Sequence, residues 1–278
     1  MRQLETERDA DAVLQRYDRL ANAPWSPFRE HIHHGYWVET DDLLIAQTKL
    51  VEKLAHFVEI PRGTHVLDIG CGTGGADRWL AQNLGCSVLG ISISPVEIKI
   101  ATEKAQAAGL EKLLEFHVMD ANQLDLPAAS FDAVWVLETS EHLSGKKCFF
   151  EKCARVLKPG GRLALAMCLA AENPTPRQSR LLVTARKVLL TEPLATLSEY
   201  VTAVRAAAFE QIKTEEITSQ VAETWSRISD LLRKQDRPSL SDARMRRAIV
   251  NLLAAMRAAY AAEAMRYSIL SARRSTIK

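Results

Sequence analysis

A strand followed by a glycine-rich turn and a helix constrains the fold of this chain more than any other feature. Residues 66–75 are VLDIGCGTGG, and a helix-like segment, ADRWLAQNLG, follows at 76–85. Glycines let the backbone turn sharply and approach a ligand without a Cβ in the way. The next helix presents unpaired N–H groups to the same crevice. This segment therefore predicts a ligand-binding turn at the carboxyl end of a buried strand.

Strand-like and helix-like segments alternate between Pro61 and Ala170. Short apolar runs predict strands at 64–70, 86–94, 113–120, 131–138 and 161–170. Helical patterns lie between them at 76–85, 95–110 and 146–157, and KPGG at 158–161 predicts a turn. Such alternation favours a parallel sheet with right-handed crossovers and helices on both faces. With later strands near 208–218 and at 265–274, we expect an α/β, Rossmann-like fold with a seven-stranded, mostly parallel sheet and a late antiparallel strand.

The composition is that of an ordinary globular protein. Hydrophobic residues make up 47% and charged residues 25% of the 278 residues, and the formal net charge is +2. This balance gives no global electrostatic reason to expect a nucleic acid as partner. No run of about 18 apolar residues occurs, and the N-terminal residues lack the apolar centre of a signal peptide. We therefore expect a cytoplasmic monomer or homodimer without stable membrane insertion.

The cysteines give no sign of a disulfide framework or a metal site. Their number is odd and no CxxC pair occurs among them: they are Cys71, Cys86, Cys148, Cys153 and Cys168. Most lie in apolar or strand-like surroundings. We expect reduced and mostly buried thiols, with disulfide or metal roles as the alternatives.

The glycine pattern has three interpretations: a dinucleotide-binding site, a site for another nucleoside ligand, and a purely structural turn. Gly70, Gly72 and Gly75 formally satisfy GxGxxG, which is typical of dinucleotide-binding enzymes. However, Asp68 lies two residues before the first glycine, where a carboxylate would repel a pyrophosphate and would suit a ligand with an ammonium or ribose group. The second strand also ends in GISIS, without the acid that a nicotinamide cofactor requires. The pattern favours another nucleoside ligand and leaves a nicotinamide oxidoreductase as the alternative.

Several motifs in order point to one family. The segment D-I-G-C-G-T-G at 68–74 resembles motif I of class I S-adenosylmethionine-dependent methyltransferases. Asp120-Ala121, SFDAVWVLETSEHL at 130–143 and RVLKPGGRLAL at 155–165 resemble later motifs of the same family. HIHHGYW, GISISPVEIKIA and the final MRYSILSARR are similar to the tocopherol methyltransferase branch, near sterol methyltransferases and cyclopropane fatty acid synthases.

The resemblance implies a reaction and a cofactor. It implies transfer of a methyl group from S-adenosylmethionine to a small, apolar or amphipathic metabolite, with S-adenosylhomocysteine as product. Methylation of oxygen, nitrogen or carbon stays open, and a natural product or an isoprenoid fits the branch. A non-catalytic binding module that kept the cofactor cleft is a further alternative. An RNA substrate is not expected, because no N-P-P-[YF] element occurs.

The resemblance also assigns cofactor contacts. Asp120 would accept a hydrogen bond from the adenine amine, and the Ala121 N–H would donate to a ring nitrogen. Relatives commonly carry Gln where this chain has Glu97, which can accept from ribose hydroxyls but cannot donate. The full set of expected cofactor-binding residues is Asp68, Gly70, Gly72, Gly74, Ile91, Ser92, Glu97, Asp120, Ala121, Glu138 and Trp37.

Candidate catalytic residues follow the fourth strand, whose carboxyl end points into the ligand crevice. His142 is the better proton acceptor, because an unperturbed histidine has a pKa of about 6.5. Glu141 is the second candidate, and both could instead cap the following helix and pack locally. His33 and Tyr17 complete the set of candidate catalytic residues.

Histidines and aromatic residues near the N-terminus are expected to lie close to the ligand. The resemblance implies that HHGY, within the cluster His31, His33 and His34, closes over cofactor and substrate. A metal is not expected there, because no carboxylate or cysteine ligands lie at finger-like spacing. Aromatic faces for the sulfonium or an apolar acceptor could come from Tyr17, Trp25, Tyr36 and Trp37, or these rings could be core.

Outside the alternating region, helical segments predict a lid. We expect an N-terminal helical lid at 1–60, an S-adenosylmethionine-binding core at 61–170, a helical insertion over the acceptor site at 171–205, and the end of the sheet with a helical cap (two helices, near 218–234 and 242–262) at 206–278. Apolar lid residues either line an acceptor cavity or pack on the core: Leu181, Leu182, Val188, Leu189, Leu197, Trp225, Ile228 and Leu231. Cap arginines predict a solvated face or a weak membrane contact: Arg244, Arg246, Arg247 and Arg257.

Overall fold

The computed structural model describes residues 2–22, 30–234 and 243–276. Its strands are β1 (His65–Ile69), β2 (Ser87–Ser92), β3 (Leu114–Val118), β4 (Phe131–Leu137), β5 (Leu157–Ala170), β6 (Phe209–Glu216) and β7 (Met265–Arg274). Its α-helices are α1 (Arg2–Asn22), α2 (Leu43–Val58), α3 (Gly75–Leu84), α4 (Pro95–Ala107), α5 (Lys146–Val156), α6 (Pro176–Leu189), α7 (Leu197–Ala206), α8 (Thr218–Val221), α9 (Thr224–Lys234) and α10 (Ala243–Ala261).

The described strands form one seven-stranded sheet in the order β3-β2-β1-β4-β5-β7-β6. Strands β1 to β5 run parallel, and β7 is antiparallel to both β5 and β6. The expected mostly parallel sheet with a late antiparallel strand is confirmed. Because the strand order reverses at β1, the carboxyl ends of β1 and β4 open the crevice where open α/β sheets bind ligands.

Two apolar layers hold the helices against the sheet. On one face, α2 buries Leu50 and Leu54 completely against β1 and β5 side chains. On the other face, α5 and α7 bury Phe150 and Tyr200. Each such side chain contributes about 1.5–3 kcal/mol when fully buried. The central parallel strands β1, β4 and β5 are mostly apolar on both faces, because both faces are covered there.

Capping residues fix where several helices begin. Asp42 accepts a hydrogen bond from Ile45 N at the start of α2, and Ser94 accepts from Glu97 N at the start of α4. Thr175 and Thr196 form capping boxes with Gln178 and Glu199 at the starts of α6 and α7. A cap of this kind contributes about 1 kcal/mol.

Two local predictions differ from the structure. The KPGG segment was expected as a turn before the fifth strand but lies within the bounds of β5. Residues 158–161 form a bulge there, between the paired residues Phe131–Leu157 and Ala133–Arg162. The helix expected near 218–234 is divided into α8 and α9. The break lies just before Thr224, whose buried hydroxyl donates to Val221 O and also accepts hydrogen bonds from the segment at 30–38.

Within the described ranges, no helix is both long enough and apolar enough to cross a membrane. The five cysteines are free thiols; four are buried and Cys148 is exposed.

Candidate functional site

A cavity of about 690 Å³ lies at the carboxyl ends of β1, β2 and β4. The glycine-rich turn forms its floor, and α1, the segment at 30–33 and the end of α6 cover it. Most of the predicted site residues line this cavity: Tyr17, His33, Asp68, Gly70, Gly72, Ile91, Ser92, Glu97, Asp120, Ala121, Glu138 and His142. Segments far apart in the sequence therefore meet around one space.

The glycine-rich turn is packed so tightly that side chains would not fit at two positions. Gly70 has a φ of +85°, and a Cβ there would lie 2.0 Å from Thr139 Oγ1. A Cβ on Gly75 would lie 2.2 Å from the carbonyl oxygen of Glu30. The turn is thus enclosed between the loop after β4 and the segment at 30–33. Gly74 belongs to the same turn but faces Phe116 rather than the cavity.

Two buried carboxyl groups lie below the turn. Burial, and then the neighbouring Asp77, raises the pKa of Asp68 well above its usual value. Burial likewise raises the pKa of Asp77 to about 7. Oδ1 of Asp68 has no hydrogen-bond partner among the described residues. Two like charges this close cannot both ionise readily, so the pair retains a proton near neutral pH unless a cation joins it.

Sequence reasoning missed Asp77. In the sequence, Asp77 is an acidic residue in the first turn of the helix that follows the glycines. A carboxylate at that position normally stays ionised, because it lies near the positive end of the helix. The residue is completely buried instead of exposed.

The opposite side of the cavity carries acceptors suited to a nucleoside. Glu97 Oε2 accepts a hydrogen bond from Ser92 Oγ at 2.6 Å, whereas its buried Oε1 has no partner among the described residues. Burial raises the pKa of Glu97 to about 7. Asp120 accepts from the backbone N–H of Asn122 at 2.8 Å, which holds Asp120 and Ala121 at the cavity wall.

His142 is held in one tautomer. Its Nδ1 lies 3.1 Å from the carbonyl oxygen of Leu190, which can only accept, so Nδ1 carries the proton. Nε2 therefore has a lone pair, and it accepts from Tyr17 OH at 2.9 Å. Burial lowers the pKa of His142 to about 4. The ring is thus neutral at physiological pH, with its lone pair directed at the α1 tyrosine.

His33 presents a second lone pair. Its Nδ1 donates to the His34 carbonyl oxygen at 2.7 Å, and its buried Nε2 has no partner among the described residues. Burial lowers the pKa of His33 as well. Both candidate bases of the cavity are therefore neutral acceptors.

Glu138 joins the segment at 30–38 to the sheet. Its Oε1 accepts from His34 N at 2.8 Å and from Tyr267 OH at 2.7 Å, and its Oε2 accepts from His34 Nδ1 at 2.9 Å. Burial alone would raise the pKa of Glu138, but the contacts with His34 and Tyr267 outweigh it and hold that pKa below its usual value. Glu138 is therefore an ionised anchor.

The other nitrogen of His34 is also engaged. His34 Nε2 accepts from Trp225 Nε1 at 2.8 Å and lies 3.0 Å from Tyr260 OH. In the part of the chain that the structure describes, His34, Glu138 and Cys168 have ligand atoms within 4.8 Å of one another. Because both ring nitrogens of His34 already have hydrogen-bond partners, this group is a hydrogen-bond network rather than a prepared metal site.

Glu141 and Trp37 do not border the large cavity. Glu141 accepts from Cys168 N at 2.6 Å and borders a second, small cavity of about 90 Å³, not the large one. Trp37 borders neither cavity, because its Nε1 donates to Thr224 Oγ1 and its ring stacks under Arg227. Trp25 lies outside the described residues.

The apolar lid residues divide between two roles. Leu189 and Trp225 border the small cavity, together with Leu194 and Leu252. The others mainly pack against the two apolar layers: Leu181, Leu182, Val188, Leu197, Ile228 and Leu231. Of the cap arginines, Arg247 and Arg257 are exposed, and the side chains of Arg244 and Arg246 lie outside the described part.

Comparisons with known proteins point to one family. A family model described as "Methyltransferase domain" matches residues 67–165. The 27-O-demethylrifamycin SV methyltransferase of Amycolatopsis mediterranei (strain S699) is 31% identical over 229 residues, 81% of this chain and 83% of that protein. A probable chloroplastic tocopherol O-methyltransferase of Oryza sativa subsp. japonica is 29% identical over 231 residues, 77% of this chain and 64% of that protein.

A solved structure shares the fold. The putative sarcosine dimethylglycine methyltransferase from Galdieria sulphuraria superposes with a TM-score of 0.84 at 22% identity, covering 94% of this chain and 99% of that one. This chain belongs to the class I S-adenosylmethionine-dependent methyltransferases. It is a small-molecule methyltransferase, homologous to tocopherol O-methyltransferases and related enzymes, and its cofactor is S-adenosylmethionine.

Proposed function

We propose that this enzyme methylates a hydroxyl group on a small, apolar or amphipathic metabolite. The observation that carries this proposal is His142, a buried neutral imidazole with its tautomer fixed and its lone pair at the cavity. Methylation of a hydroxyl releases a proton that a base must accept, whereas an amine lone pair needs no such base in the methyl transfer itself. The names of two relatives also place the methyl group on oxygen.

The residues present fit the cofactor. Asp68 offers a buried, unpartnered carboxyl oxygen below a turn where a Cβ is excluded, and Glu97 offers another on the facing wall. We propose that Asp68 binds the amino-acid ammonium, that Glu97 accepts from the ribose hydroxyls, and that Asp120 and Ala121 bind the adenine. The cofactor supplies the activated methyl group on its sulfonium. Ser92, Ile91 and the turn glycines complete the proposed contact surface.

The chain's own residues then position the acceptor and move one proton. The acceptor hydroxyl displaces Tyr17 OH from His142 Nε2 and passes its proton to that nitrogen as the methyl group is transferred. His33 lines the same cavity, and we propose that its unpartnered Nε2 holds a second polar group of the acceptor. Alignment of two reactants in this way contributes up to roughly 7–11 kcal/mol in favourable systems.

The cover of the cavity favours an apolar acceptor. Ala12, Val13 and Leu14 of α1 line the cavity, as do Val183 and Leu190. The small cavity behind His142 is also mainly apolar. We propose that residues 1–60 act as a lid, 61–170 as the cofactor-binding core, 171–205 as the cover of the acceptor site, and 206–278 as the end of the sheet with its cap.

Ligand-induced thermal shifts test the cofactor assignment. S-adenosylhomocysteine should raise the melting temperature. At a ligand concentration of a hundred times its Kd, binding should increase the free energy of unfolding by about 2.7 kcal/mol, whereas NAD and NADP should have no effect. Stabilisation by a nicotinamide dinucleotide alone would contradict the proposal.

Mass spectrometry tests the reaction. The enzyme is incubated with a pool of hydroxylated, amine-bearing and unsaturated apolar metabolites and with cofactor that carries a deuterated methyl group. We expect the label on oxygen, with His142→Ala as the control that loses it. Label on nitrogen or carbon would contradict O-methylation, and cofactor binding without any methylated product would favour the binding-module alternative.

A further inference from the structure

Two helices that pack together, α6 of the insertion at 171–205 and α10 of the cap, contain basic residues and no acids. Helix α6 carries Arg177, Arg180, Arg186 and Lys187, and α10 carries Arg244, Arg246, Arg247 and Arg257. Neither helix contains Asp or Glu. The whole chain has 36 Lys and Arg against 34 Asp and Glu, so outside these helices acids outnumber bases by 34 to 28. The small net charge therefore hides a strong separation of charge.

Five of the six described basic side chains of this helix pair face outward, whereas the sixth, Arg186, donates to Thr191 O beside the cavity. Helices α6 and α10 pack against each other, and the side that faces the core contains Ala185, Met256 and Tyr260. Arg177, Arg180, Lys187, Arg247 and Arg257 are exposed, and within the described ranges none of them forms an ion pair. These cations are available for an external partner.

The same outward side also exposes large apolar side chains. Val183 on α6 is 53% exposed and Val250 on α10 is 62% exposed. A helix surface that combines arginine and lysine with exposed aliphatic residues suits the boundary between lipid headgroups and acyl chains. Neither helix exposes an aromatic residue for stacking on bases, so a nucleic acid fits this surface less well.

This surface borders the mouth of the large cavity. Val183, Arg186, Lys187 and Leu190 all belong to the cavity lining. A partner bound to the outward side of α6 and α10 would thus lie beside the opening that the proposed apolar acceptor uses.

We propose that the outward face of α6 and α10, the "basic cap face", docks this enzyme on an anionic lipid surface. The arginines and lysines bind lipid phosphates, and Val183 and Val250 contact the acyl boundary. An apolar acceptor dissolved in the bilayer then reaches the cavity beside α6. Docking itself does not depend on the acceptor, and only the delivery step rests on the proposed function. The contact is peripheral and needs no membrane-spanning helix.

Vesicle flotation tests this proposal on the full chain. Purified protein is mixed with phosphatidylcholine vesicles, with or without phosphatidylglycerol, at low and at physiological salt. We expect flotation with the anionic vesicles only, weakening as salt rises. Two results would overturn the proposal. The wild-type protein fails to float with anionic vesicles at low salt, or it floats equally well with neutral vesicles.

A matched pair of charge reversals locates the surface. The first variant is R177E/R180E/R257E, and the control is K99E/K112E/K147E, which changes the net charge equally on other exposed surfaces. None of the six residues lines either cavity. Each basic residue near an anionic membrane favours binding about fivefold, so the first variant should bind vesicles about a hundredfold more weakly. Equal losses in both variants would overturn the assigned surface.

Two further readouts keep the outcomes distinct. Both variants should keep the thermal shift with S-adenosylhomocysteine, so a failure of docking is separate from a failure of the cofactor assignment. Val250→Ser should also weaken flotation without changing net charge. If the triple variant fails to fold, R180E and R257E are tested singly, and unchanged flotation in both overturns the proposal. Binding of a single-stranded oligonucleotide by this surface in place of vesicles would assign it to a nucleic acid instead.

Discussion

Glu138 is a residue whose strained backbone is compensated by its side chain. Its φ of +53° is unusual for a residue with a Cβ, and such a conformation costs about 1–2 kcal/mol. Three hydrogen bonds to the carboxylate offset this cost and tie His34 to β7 through Tyr267. In this conformation the carboxylate contacts both β7 and the segment that covers the cavity.

Glu138→Gln should loosen that segment. The amide nitrogen of glutamine would face the Nδ1–H of His34, which cannot change tautomer because Trp225 donates to its Nε2. A buried donor left unpaired costs about 1–3 kcal/mol. We therefore expect the free energy of unfolding, measured by urea denaturation, to fall by that amount. Tyr267→Phe removes only one of the bonds and should cost less. A Glu138→Gln protein as stable as wild type would contradict the anchoring role.

His142→Ala should lower kcat while leaving cofactor affinity intact. General base catalysis contributes about 10²–10⁴-fold, so a loss of that size is expected with the O-methylated product as readout. Tyr17→Phe should have a smaller effect, since Tyr17 only occupies the lone pair until the acceptor binds. The control His117→Ala, on the exposed edge of β3, should change neither parameter. A higher Kd for S-adenosylhomocysteine at an unchanged kcat would contradict the role of His142 as general base.

Glu141→Gln should change how stability depends on pH. Burial, then the charge of Glu138, raises the pKa of Glu141 from 4.5 to about 7. A raised carboxyl pKa favours folding at low pH, and that contribution is lost as pH rises from about 4.5 through about 7. Glutamine keeps the acceptor for Cys168 N but has no proton to lose. The free energy of unfolding should therefore fall less for the variant than for wild type between pH 5 and 8, and parallel curves would contradict the assignment.

Most of the site residues that the sequence indicated line the large cavity, but the sequence did not indicate the residues that hold them. Motif residues such as Asp68 and Asp120 lie at strand ends, where a parallel sheet always presents side chains to its crevice. Asp77 and Thr224 lie on two helices and Tyr267 lies on the last strand, and nothing local in the sequence indicates their partners. Trp37 was expected at the cofactor, but its indole N–H is taken by Thr224, nearly 190 residues away in sequence.

At the scale of elements, the glycine-rich turn is held by the elements around it. The backbone N–H groups of Gly70 and Cys71 both donate to Ile91 O at the end of β2. Thr139, after β4, fills the space beside Gly70. Strand ends that are neighbours in the sheet thus shape the turn before any ligand is present.

Gly70→Ala and Gly63→Ala separate crowding from backbone strain. Both glycines have a positive φ, but nothing lies within 4 Å of a Cβ on Gly63, whereas Thr139 would be 2.0 Å from one on Gly70. Gly63→Ala should lower the free energy of unfolding by about 1–2 kcal/mol, as measured by thermal or chemical denaturation. Gly70→Ala should cost more and should also remove the thermal shift with S-adenosylhomocysteine. Equal costs with the shift retained would show that the turn tolerates a displaced Thr139.

Element bounds were predictable where periodicity and end signals coincide. Pro95 and Gly109 bracket α4, and the final strand was predicted at 265–274, where β7 lies. The bulge in β5 and the break between α8 and α9 were not predictable. Each is set by pairing with a distant segment, in one case β4 and in the other the covering segment at 30–38.

For the molecule as a whole, buried carboxyl groups couple cofactor binding to protons. Burial raises the pKa of Asp68 well above its usual value, and that of Asp77 and of Glu97 to about 7. An ammonium bound at Asp68 favours its ionised form, so binding should release a proton. The affinity for S-adenosylmethionine should therefore rise as pH increases from 6 to 8.

Calorimetry in buffers of different ionisation enthalpy measures that proton directly. 5′-Methylthioadenosine serves as the control, because it lacks the ammonium and should release fewer protons. Uptake of a proton on binding S-adenosylmethionine, or equal release by both ligands, would contradict the role proposed for Asp68.

The placement of β7 between β5 and β6 affects how the chain folds during synthesis. In the described sheet β6 pairs only with β7, so residues 209–216 have no strand partner until residues 265–274 leave the ribosome. Ribosomes add about 5–20 residues per second, which leaves that strand unpaired for several seconds. The alternation of charge in EQIKTEE, within β6, discourages pairing with other chains over that interval. Completion of the sheet therefore has to wait for the synthesis of the antiparallel strand β7.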